Sequence, residues 1–504
     1  MEKSHSQVAS AGKGSRTLTY NALYNEEVDD ERGIEVNDFS TSESIEGSSW
    51  KSSAEIINMS EEHDYSWWSM YVNLVSTTLG AGMLGLPYAF SKMGWLLGTF
   101  MIALCGTAAF AGLYFLACCS LKTSLPTSFY KVAQLATPKY AVAVDLIIAL
   151  KCFGVATSYL VVVGDLLPIA LQQLAPLSPF LHSRALWIWI GFCIAAPLSC
   201  LQTLHALRWT SAFSALFLVF LVSLVVGYSI PAPGLDPCAS AETLSLTHGG
   251  IMSCHGTHGY MLLSLSTIRV IPIFVFGFTC HQNGLTVANE LKDANFSRIN
   301  SVYIWSICTC TVVYIIMACA GYATYGNTVH SNILVSYPSN QFTSAARIFV
   351  SFVVACHYPL QAHPARRSLL NLWDCITSKK DPGSPIAGAA GVTSAVVSDL
   401  RPINNFRYAV CTAAILSLSL VIALSVNDLG IVLAIVGSTG SAAVTFIPGL
   451  FYYNMHPEHA EGTDSTSMQL LLRKLSRLLY MIGVFLVLIC LFAIFMYYNV
   501  DDEL

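Results

Sequence analysis

Three glycines stand close together in the first apolar stretch of the chain, YVNLVSTTLGAGMLGLPYAFSKMGW, which covers residues 71–95. Gly80, Gly82 and Gly85 lie within six residues of one another, and Pro87 follows two residues later. Each glycine stabilises a helix interior by about 1 kcal/mol less than alanine does, so the stretch is expected to unwind at its centre. A packing stripe of small residues or a proline kink is the alternative, although such a stripe recurs at every fourth position.

An unwound segment at this depth would form a binding site. Inside a membrane, free N–H and C=O groups are tolerated only where they face a cavity or another part of the protein. The half-helix after the break directs its N–H groups and the positive end of its dipole at an anion, and the half-helix before it offers carbonyls to a cation. The carboxylate of an amino acid fits the first of these positions.

A second apolar stretch, STIRVIPIFVFGFTCHQNGLTVANEL, is interrupted in the same way. Gly277 is followed by the polar or helix-weakening run of residues 279–284, which no lipid-facing helix would carry. Each interrupted stretch opens one half of the hydrophobic part of the chain. Interrupted segments at matching positions in two halves are typical of inverted-repeat transporters with a site near the bilayer midplane.

The composition predicts an all-α polytopic membrane protein. Of 504 residues, 54% are hydrophobic and 11% charged, and the mean hydropathy is +0.58. These values lie far from those of soluble domains. We predict eleven membrane-spanning helices, because windows of about 20 apolar residues recur along the chain. The windows begin near Ser69, Trp95, Ala141, Ala185, Thr210, Ser266, Ser301, Thr343, Tyr408, Leu429 and Leu479.

The spans group into two sets of five helices and one accessory helix. Residues 67–230 form the first repeat, 231–265 an external loop, 266–454 the second repeat, and 455–504 a cytosolic loop with helix eleven. Residues 1–66 are rich in Ser, Glu and Asp, so we expect a disordered acidic tail.

The basic residues predict the orientation. With the tail in the cytosol, the cytosolic loops hold fifteen Lys and Arg residues and the opposite loops hold four. Basic residues accumulate on the cytosolic side, so the N-terminus is predicted there. The sequence favours the plasma membrane, with a vacuolar or lysosomal membrane as the alternative.

The third span carries Asp145, Lys151, Tyr159 and Asp165 among apolar residues. A charged residue costs at least about 2.5–3.5 kcal/mol inside a membrane, so each should face a cavity or a partner. Asp145 and Lys151 lie six residues apart, on different faces, and we expect each to pair with another helix. A structural role near the inner boundary, with Lys151 snorkelling, and a proton relay both remain open. Tyr159 lies near mid-membrane, at the substrate or in the core.

The external loop contains two cysteines in a space expected to be oxidising. Cys238 and Cys254 are predicted to form a disulfide that staples a loop without a core of its own. His248, His255 and His258 lie nearby, but their spacing matches no regular zinc motif, so we predict no metal site.

Four segments together resemble the amino acid/auxin permease family, whose members carry amino acids. They are NLVSTTLGAGMLGLPYAF with the following GW, TSYLVVVGDLLP, FGFTCHQN and YPLQAHPAR, and the resemblance covers about residues 68–498. It implies the fold of the bacterial leucine transporter, with five-plus-five inverted repeats, broken first and sixth helices and one further helix. It also implies a secondary active transporter that works by alternating access, without a cofactor or a nucleic-acid partner.

The resemblance also implies where a substrate would bind. The unwound backbone at Gly80, Ala81 and Gly82 would hold the carboxylate, residues 276–283 would meet the amino group and side chain, and Tyr159 would close over the site. The candidate substrate-binding residues are Ser76, Thr77, Gly80, Ala81, Gly82, Tyr159, Phe276, Thr279, Cys280 and Asn283.

Two departures from the family pattern concern the coupling ion. Sodium-coupled members have an asparagine where this chain has Ser76. They often have two hydroxyls on the eighth span, where this chain has one candidate at mid-depth, Ser351. Both departures favour protons or exchange over sodium. His281 and Asp165 could take part in proton coupling or hold hydrogen-bonded structural positions. A neutral substrate is favoured, because no carboxylate is predicted at the depth of the breaks.

The sequence also bears on two other functions, a membrane enzyme and an amino-acid sensor. A membrane enzyme would need clustered catalytic groups, and the histidines are scattered over faces and loops, so we predict no enzyme. An amino-acid sensor that signals through the N-terminal tail would share every feature of the pocket. Net flux of an amino acid would separate transporter from sensor.

Overall fold

A computed structural model describes residues 65–123, 125, 127–174, 179–200, 208–230, 237–238, 255–377, 405–456 and 467–501. All regular elements in these ranges are helices. The predicted tail, residues 1–66, lies almost wholly outside the described residues, as does most of the predicted external loop.

The described residues of the first half of the chain contain seven α-helices. A short 3-10 turn, Ala81–Gly85, lies between the first two of them. They are α1 (Trp67–Thr78), α2 (Leu86–Met93), α3 (Trp95–Lys122), α4 (Phe129–Ala136), α5 (Ala141–Leu174), α6 (Arg184–Cys200) and α7 (Arg208–Ser229).

The second half continues with nine α-helices in the described ranges. A π-helical turn, Gly437–Ser441, joins the seventh and eighth of them. They are α8 (Leu265–Gly277), α9 (His281–Glu290), α10 (Phe296–Tyr325), α11 (Ile333–Ser336), α12 (Gln341–Thr377), α13 (Asn405–Ser425), α14 (Leu429–Val436), α15 (Ala442–Met455) and α16 (Ser467–Asp501).

Seven helical segments of the described chain are long and apolar enough to cross a membrane. They are Trp95–Lys122, Pro138–Gln172, Leu265–Glu290, Phe296–Thr328, Phe406–Ser425, Leu429–Met455 and Ser467–Phe495. Two shorter apolar helices, Arg184–Cys200 and Ser214–Ser229, accompany them. The all-helical, multi-pass membrane class is thereby confirmed, whereas the count of eleven spans and the inverted repeat stay predictions.

Helix α5 lies at the centre of the described bundle. It packs along α12 and against α14 and the π-helical turn, and small residues permit this close approach. A Cβ atom added at Gly440 would lie 2.5 Å from Cβ of Lys151, and one added at Gly154 would overlap Val436. Glycine at these two positions therefore lets the backbone of α5 approach the elements that surround the site.

The chain just before α1 is joined to the end of α9. The N–H of Tyr65 donates to the carbonyl of Glu290 at 2.9 Å, and the N–H of Lys292 donates to the carbonyl of Tyr65 at 2.9 Å. The indole N–H of Trp67 donates to the hydroxyl of Ser301 at 2.8 Å. The bonds of Tyr65 thus join the start of the first interrupted segment to the end of the second, and the bond of Trp67 joins it to α10.

Candidate functional site

The first interrupted segment unwinds at Leu79 and Gly80. Helix α1 ends at Thr78, Gly80 has φ −94° and ψ −149°, and the chain resumes as the 3-10 turn at Ala81. The hydroxyl of Thr78 donates to the carbonyl of Leu74 at 2.6 Å. The first N–H groups of a new helical turn have no partner within that turn, so the break presents donors to its surroundings.

The second interrupted segment unwinds between Gly277 and His281. Residues 278–280 are not helical, and α9 begins at His281. The hydroxyl of Thr279 donates to the carbonyl of Val275 at 2.6 Å and lies 3.3 Å from the hydroxyl of Thr445. The hydroxyl of Thr279 thus lies between the carbonyl of Val275, in the last turn of α8, and the hydroxyl of Thr445.

The two breaks face each other. A Cβ atom added at Gly82 would lie 3.0 Å from Cα of Gly277 and 3.0 Å from Cδ1 of Phe276. A third helix, α10, joins them, because the hydroxyl of Tyr314 lies 2.7 Å from the carbonyl oxygen of Thr78 and 2.7 Å from that of Gly277. Glycine at position 82 is therefore a condition of this contact.

A small cavity lies between the breaks, α5 and α12. Its wall combines backbone of the first break with hydroxyl, amide, ammonium and aromatic side chains. The lining residues are Thr77, Thr78, Gly80, Ala81, Gly82, Lys151, Val155, Tyr159, Phe276, Thr279 and Gln361. We refer to this space as the central cavity.

A second space shares three lining residues with the first, Gly80, Ala81 and Tyr159. Its wall is mostly apolar, and we refer to it as the apolar cavity. It is lined by Ser76, Leu79, Gly80, Ala81, Met83, Leu84, Tyr159, Ser214, Phe217, Leu218, Leu221, Val350, Val353, Val354 and His357.

Most of the predicted substrate residues lie at these two spaces. Seven of the ten line the central cavity, and Ser76 lines the apolar cavity. Cys280 and Asn283 line neither. Cys280 is 1% exposed, and its carbonyl accepts the backbone N–H of Asn283 at 2.9 Å. Their roles in binding stay predictions.

The other coupling candidates lie away from both cavities. The imidazole Nε2–H of His281 donates to the carbonyl of Ala109 at 3.1 Å, and the hydroxyl of Ser351 donates to the carbonyl of Arg347 at 2.8 Å. Asp165 accepts from the guanidinium of Arg184 at 2.8 Å. These contacts are of the structural kind weighed above, and a part in coupling stays a prediction for each residue.

Asp165 allows a direct test of that choice. We expect Asp165→Asn to lower the melting temperature, because losing a charged partner of Arg184 costs about 1–3 kcal/mol. We expect the dependence of uptake on ion gradients to stay unchanged, since Asp165 lines neither cavity. Melting curves and gradient-driven uptake measure the two effects.

Asp374→Asn is the matched control, because it opens an exposed Asp374–Arg407 pair of 2.6 Å. Exposed ion pairs contribute little to stability, so this variant should melt close to the wild type. An Asp165→Asn protein with an unchanged melting temperature and no response to a gradient would instead assign coupling to Asp165.

Thr78, Val155 and Gln361 line the central cavity although the sequence did not single them out. Lys151, which was expected to face a cavity or a partner, also lines it and is only 2% exposed, so of the two alternatives the snorkelling one does not describe its side chain. Its signal in the sequence was a lone ammonium in an apolar span. Gln361 is an amide in an apolar helix with prolines two residues before it and three after it, which is the comparable signal.

The predicted disulfide and the histidines of the external loop are described only in part. Cys238 is disulfide-bonded, but Cys254 and His248 lie outside the described residues, so the pairing stays a prediction. Nδ1 of His255 donates to the carbonyl of Thr324 at 3.1 Å. Within the described ranges, no group of three or more His, Cys, Asp or Glu residues could hold a metal ion.

Comparisons with known proteins agree with one another. The family model described as "Transmembrane amino acid transporter protein" matches residues 63–496. Vacuolar amino acid transporter 5 of Schizosaccharomyces pombe is 34% identical over 429 residues, which cover 84% of this chain and 93% of the relative. Vacuolar amino acid transporter 6 of Saccharomyces cerevisiae is 32% identical over 453 residues, with coverages of 84% and 97%.

Proposed function

We propose, from the premise that this chain belongs to the family of transmembrane amino acid transporter proteins, that it carries amino acids across a membrane by alternating access. The family and the relatives are transporters and not enzymes. In alternating access, parts of the bundle rock around a fixed site that opens first to one side and then to the other.

The architecture we propose has eleven membrane spans. Residues 67–230 and 266–454 form two inverted repeats of five helices, and the last span is an accessory helix. The two interrupted segments open these two halves, and this placement supports the repeat.

One observation carries the binding site: both interrupted segments line a single central cavity. We place the substrate carboxylate at the unwound backbone of residues 80–82. The N–H of Gly80 donates to the carbonyl of Thr78 at 2.8 Å, so the donors are the N–H groups of Ala81 and Gly82, which begin the 3-10 turn. The positive end of such a turn favours an anion. The amino group and side chain meet residues 276–283. Tyr159 then covers the site, since its hydroxyl would lie 3.5 Å from a Cβ atom added at Gly80.

The membrane we propose is the vacuolar one. Two relatives that are 34% and 32% identical to this chain bear the name of vacuolar amino acid transporters. This replaces the plasma membrane that the sequence analysis favoured. The N-terminus is placed in the cytosol, where the basic loops also lie.

For coupling we propose protons or exchange in place of sodium. The hydroxyls of Ser76 and Ser351 both donate to carbonyls of their own helices, at 3.0 and 2.8 Å. Neither side chain lines the central cavity. The sensor alternative has no support among the relatives, whose names are those of transporters.

Uptake by proteoliposomes tests the function. The purified protein is reconstituted, and each of the twenty labelled amino acids is offered with a proton gradient, a sodium gradient, or unlabelled amino acid inside. We expect uptake of at least one amino acid with a proton gradient or internal amino acid, and no stimulation by sodium.

Two results would contradict the proposal in different ways. Specific binding of an amino acid without flux under all three conditions would favour the sensor. Uptake that needs sodium would keep the transporter and overturn the proposed coupling. Liposomes without protein give the background.

A further inference from the structure

Lys151 is a buried lysine at the wall of the central cavity. It stands in α5, is 2% exposed and shares that wall with the backbone of residues 80–82. The close approach of Gly440 fixes its backbone, since a Cβ atom there would lie 2.7 Å from Cα of Lys151. Its side chain therefore lies inside the protein, at the wall that it shares with the unwound segment.

No carboxylate of the described chain pairs with this ammonium group. The two nearest in the sequence have other partners: Asp145 accepts from Nδ2 of Asn371 at 2.9 Å, and Asp165 accepts from Arg184 at 2.8 Å. Within the described ranges, the structure shows no hydrogen bond or ion pair to the side chain of Lys151. A charge buried in a membrane protein normally has a partner, because its desolvation is expensive.

The rest of the wall does not supply a negative charge. The polar side chains that line the central cavity with Lys151 are three threonines, Tyr159 and Gln361, and the apolar cavity adds two serines and His357. Among the described lining residues there is no Asp or Glu. A cationic side chain brought into this space would meet a like charge and no counter-ion.

We propose that Lys151 is the counter-ion of the substrate carboxylate and that it excludes amino acids with cationic side chains. This inference rests on the proposed function. The ammonium group and the N–H groups of Ala81 and Gly82 bind the same carboxylate from two sides. A charge-assisted hydrogen bond of this kind is about twice as strong as a neutral one. Binding of the substrate carboxylate also gives the ammonium group of Lys151 the partner that the protein does not supply.

The experiment compares Lys151→Met and Lys151→Arg with the wild type in proteoliposomes. The probes are the amino acid that the wild type carries fastest, the α-amide of that amino acid, L-arginine and L-lysine. We expect Lys151→Met to lower uptake and affinity at least tenfold, and Lys151→Arg to retain part of both. The wild type should bind the amide at least tenfold more weakly than the amino acid, and Lys151→Met should lose this preference.

Melting curves separate this role from a structural one. Methionine replaces an unpaired buried charge with an apolar side chain, so the empty variant should melt at or above the temperature of the wild type. Its melting temperature should no longer rise when the amino acid is added. Lys139→Met is the control, because Lys139 is exposed and lines neither cavity.

Several results would overturn the inference. One is uptake by Lys151→Met at the rate of the wild type. Another is uptake of arginine or lysine by the wild type as fast as that of neutral amino acids. The third is a Lys151→Met protein that is destabilised but keeps its affinity and its preference for the amino acid over the amide. If Lys151→Met does not fold, Lys151→Gln is measured in the same way. A wild type that carries no amino acid would defeat the proposed function itself, whereas a wild type that carries one and tolerates Lys151→Met would defeat only this inference.

Discussion

Gly82→Val is expected to abolish amino-acid uptake while the protein remains folded. A Cβ atom at this position would lie 3.0 Å from Cα of Gly277 and 3.0 Å from the ring of Phe276, and valine adds two further methyl groups. These groups must enter the central cavity or push the two breaks apart. Such overpacking costs about 1–3 kcal/mol, which a large bundle can tolerate but a site built from two touching segments cannot. Uptake by proteoliposomes and elution of the purified protein on size exclusion measure the two parts.

Gly227→Val is the matched control for this variant. Gly227 lies in α7, and a Cβ atom there would have no heavy atom within 4 Å. The same substitution should therefore leave uptake close to that of the wild type. Gly82→Ala should give an intermediate loss, since one methyl group makes only the first of the tight contacts. Uptake by Gly82→Val within twofold of the wild type would show that the two breaks do not form the binding site.

The interruptions could be predicted because their cause is local. Crowded glycines at residues 80–85 and a polar run at residues 279–284 weaken a helix wherever the chain places them. The structure ends α1 at Thr78 and α8 at Gly277, beside these runs. The starts of most long helices could be predicted for a similar reason, because an apolar run of spanning length and its first residue are visible in the sequence itself.

The last helix shows where this reasoning fails. Helix α16 begins at Ser467, twelve residues before the predicted start of the span near Leu479. Its first turns carry Arg473, Lys474 and Arg477, which an apolar window excludes. A helix can continue beyond the hydrophobic layer, because its backbone hydrogen bonds are internal. Hydropathy therefore predicts the apolar part of such a helix and not the residue at which the helix begins.

The members of the cavity wall could be predicted only in part. Residues of the breaks themselves follow from their position, but Lys151 and Gln361 reach the same space from other helices. Which face of α5 or α12 points inward depends on packing, because the apolar residues of these two helices are not gathered on one face. His281 illustrates the reverse case. It belongs to a polar run, yet a Cβ atom at Gly112 would lie 2.5 Å from its Nε2, so it is enclosed by α3 and not directed into the cavity.

Tyr314→Phe is expected to lower uptake about tenfold and to lower the melting temperature. The hydroxyl of Tyr314 lies 2.7 Å from the carbonyl oxygens of both Thr78 and Gly277, at the last helical residue before each break. Phenylalanine keeps the ring, which is 0% exposed, and removes this donor from both carbonyls. The carbonyl of Thr78 keeps the N–H of Gly80 at 2.8 Å, so the loss falls mainly on the carbonyl of Gly277. An unsatisfied buried acceptor costs about 1–3 kcal/mol, and 1.4 kcal/mol corresponds to about a factor of ten in rate or affinity.

Tyr314→Phe should slow transport because the hydroxyl of Tyr314 has a single hydrogen for two carbonyls. A tyrosine hydroxyl has one hydrogen to donate, so it can satisfy one of the two carbonyls at a time. If the breaks move relative to each other during alternating access, this hydroxyl can donate first to one carbonyl and then to the other, because it lies within hydrogen-bond distance of both. Tyr325→Phe is the control: its hydroxyl donates to the carbonyl of Ser336 at 2.8 Å, away from both cavities. Both variants should melt earlier than the wild type, but only Tyr314→Phe should slow uptake. Equal uptake by the two variants would reduce Tyr314 to a packing residue.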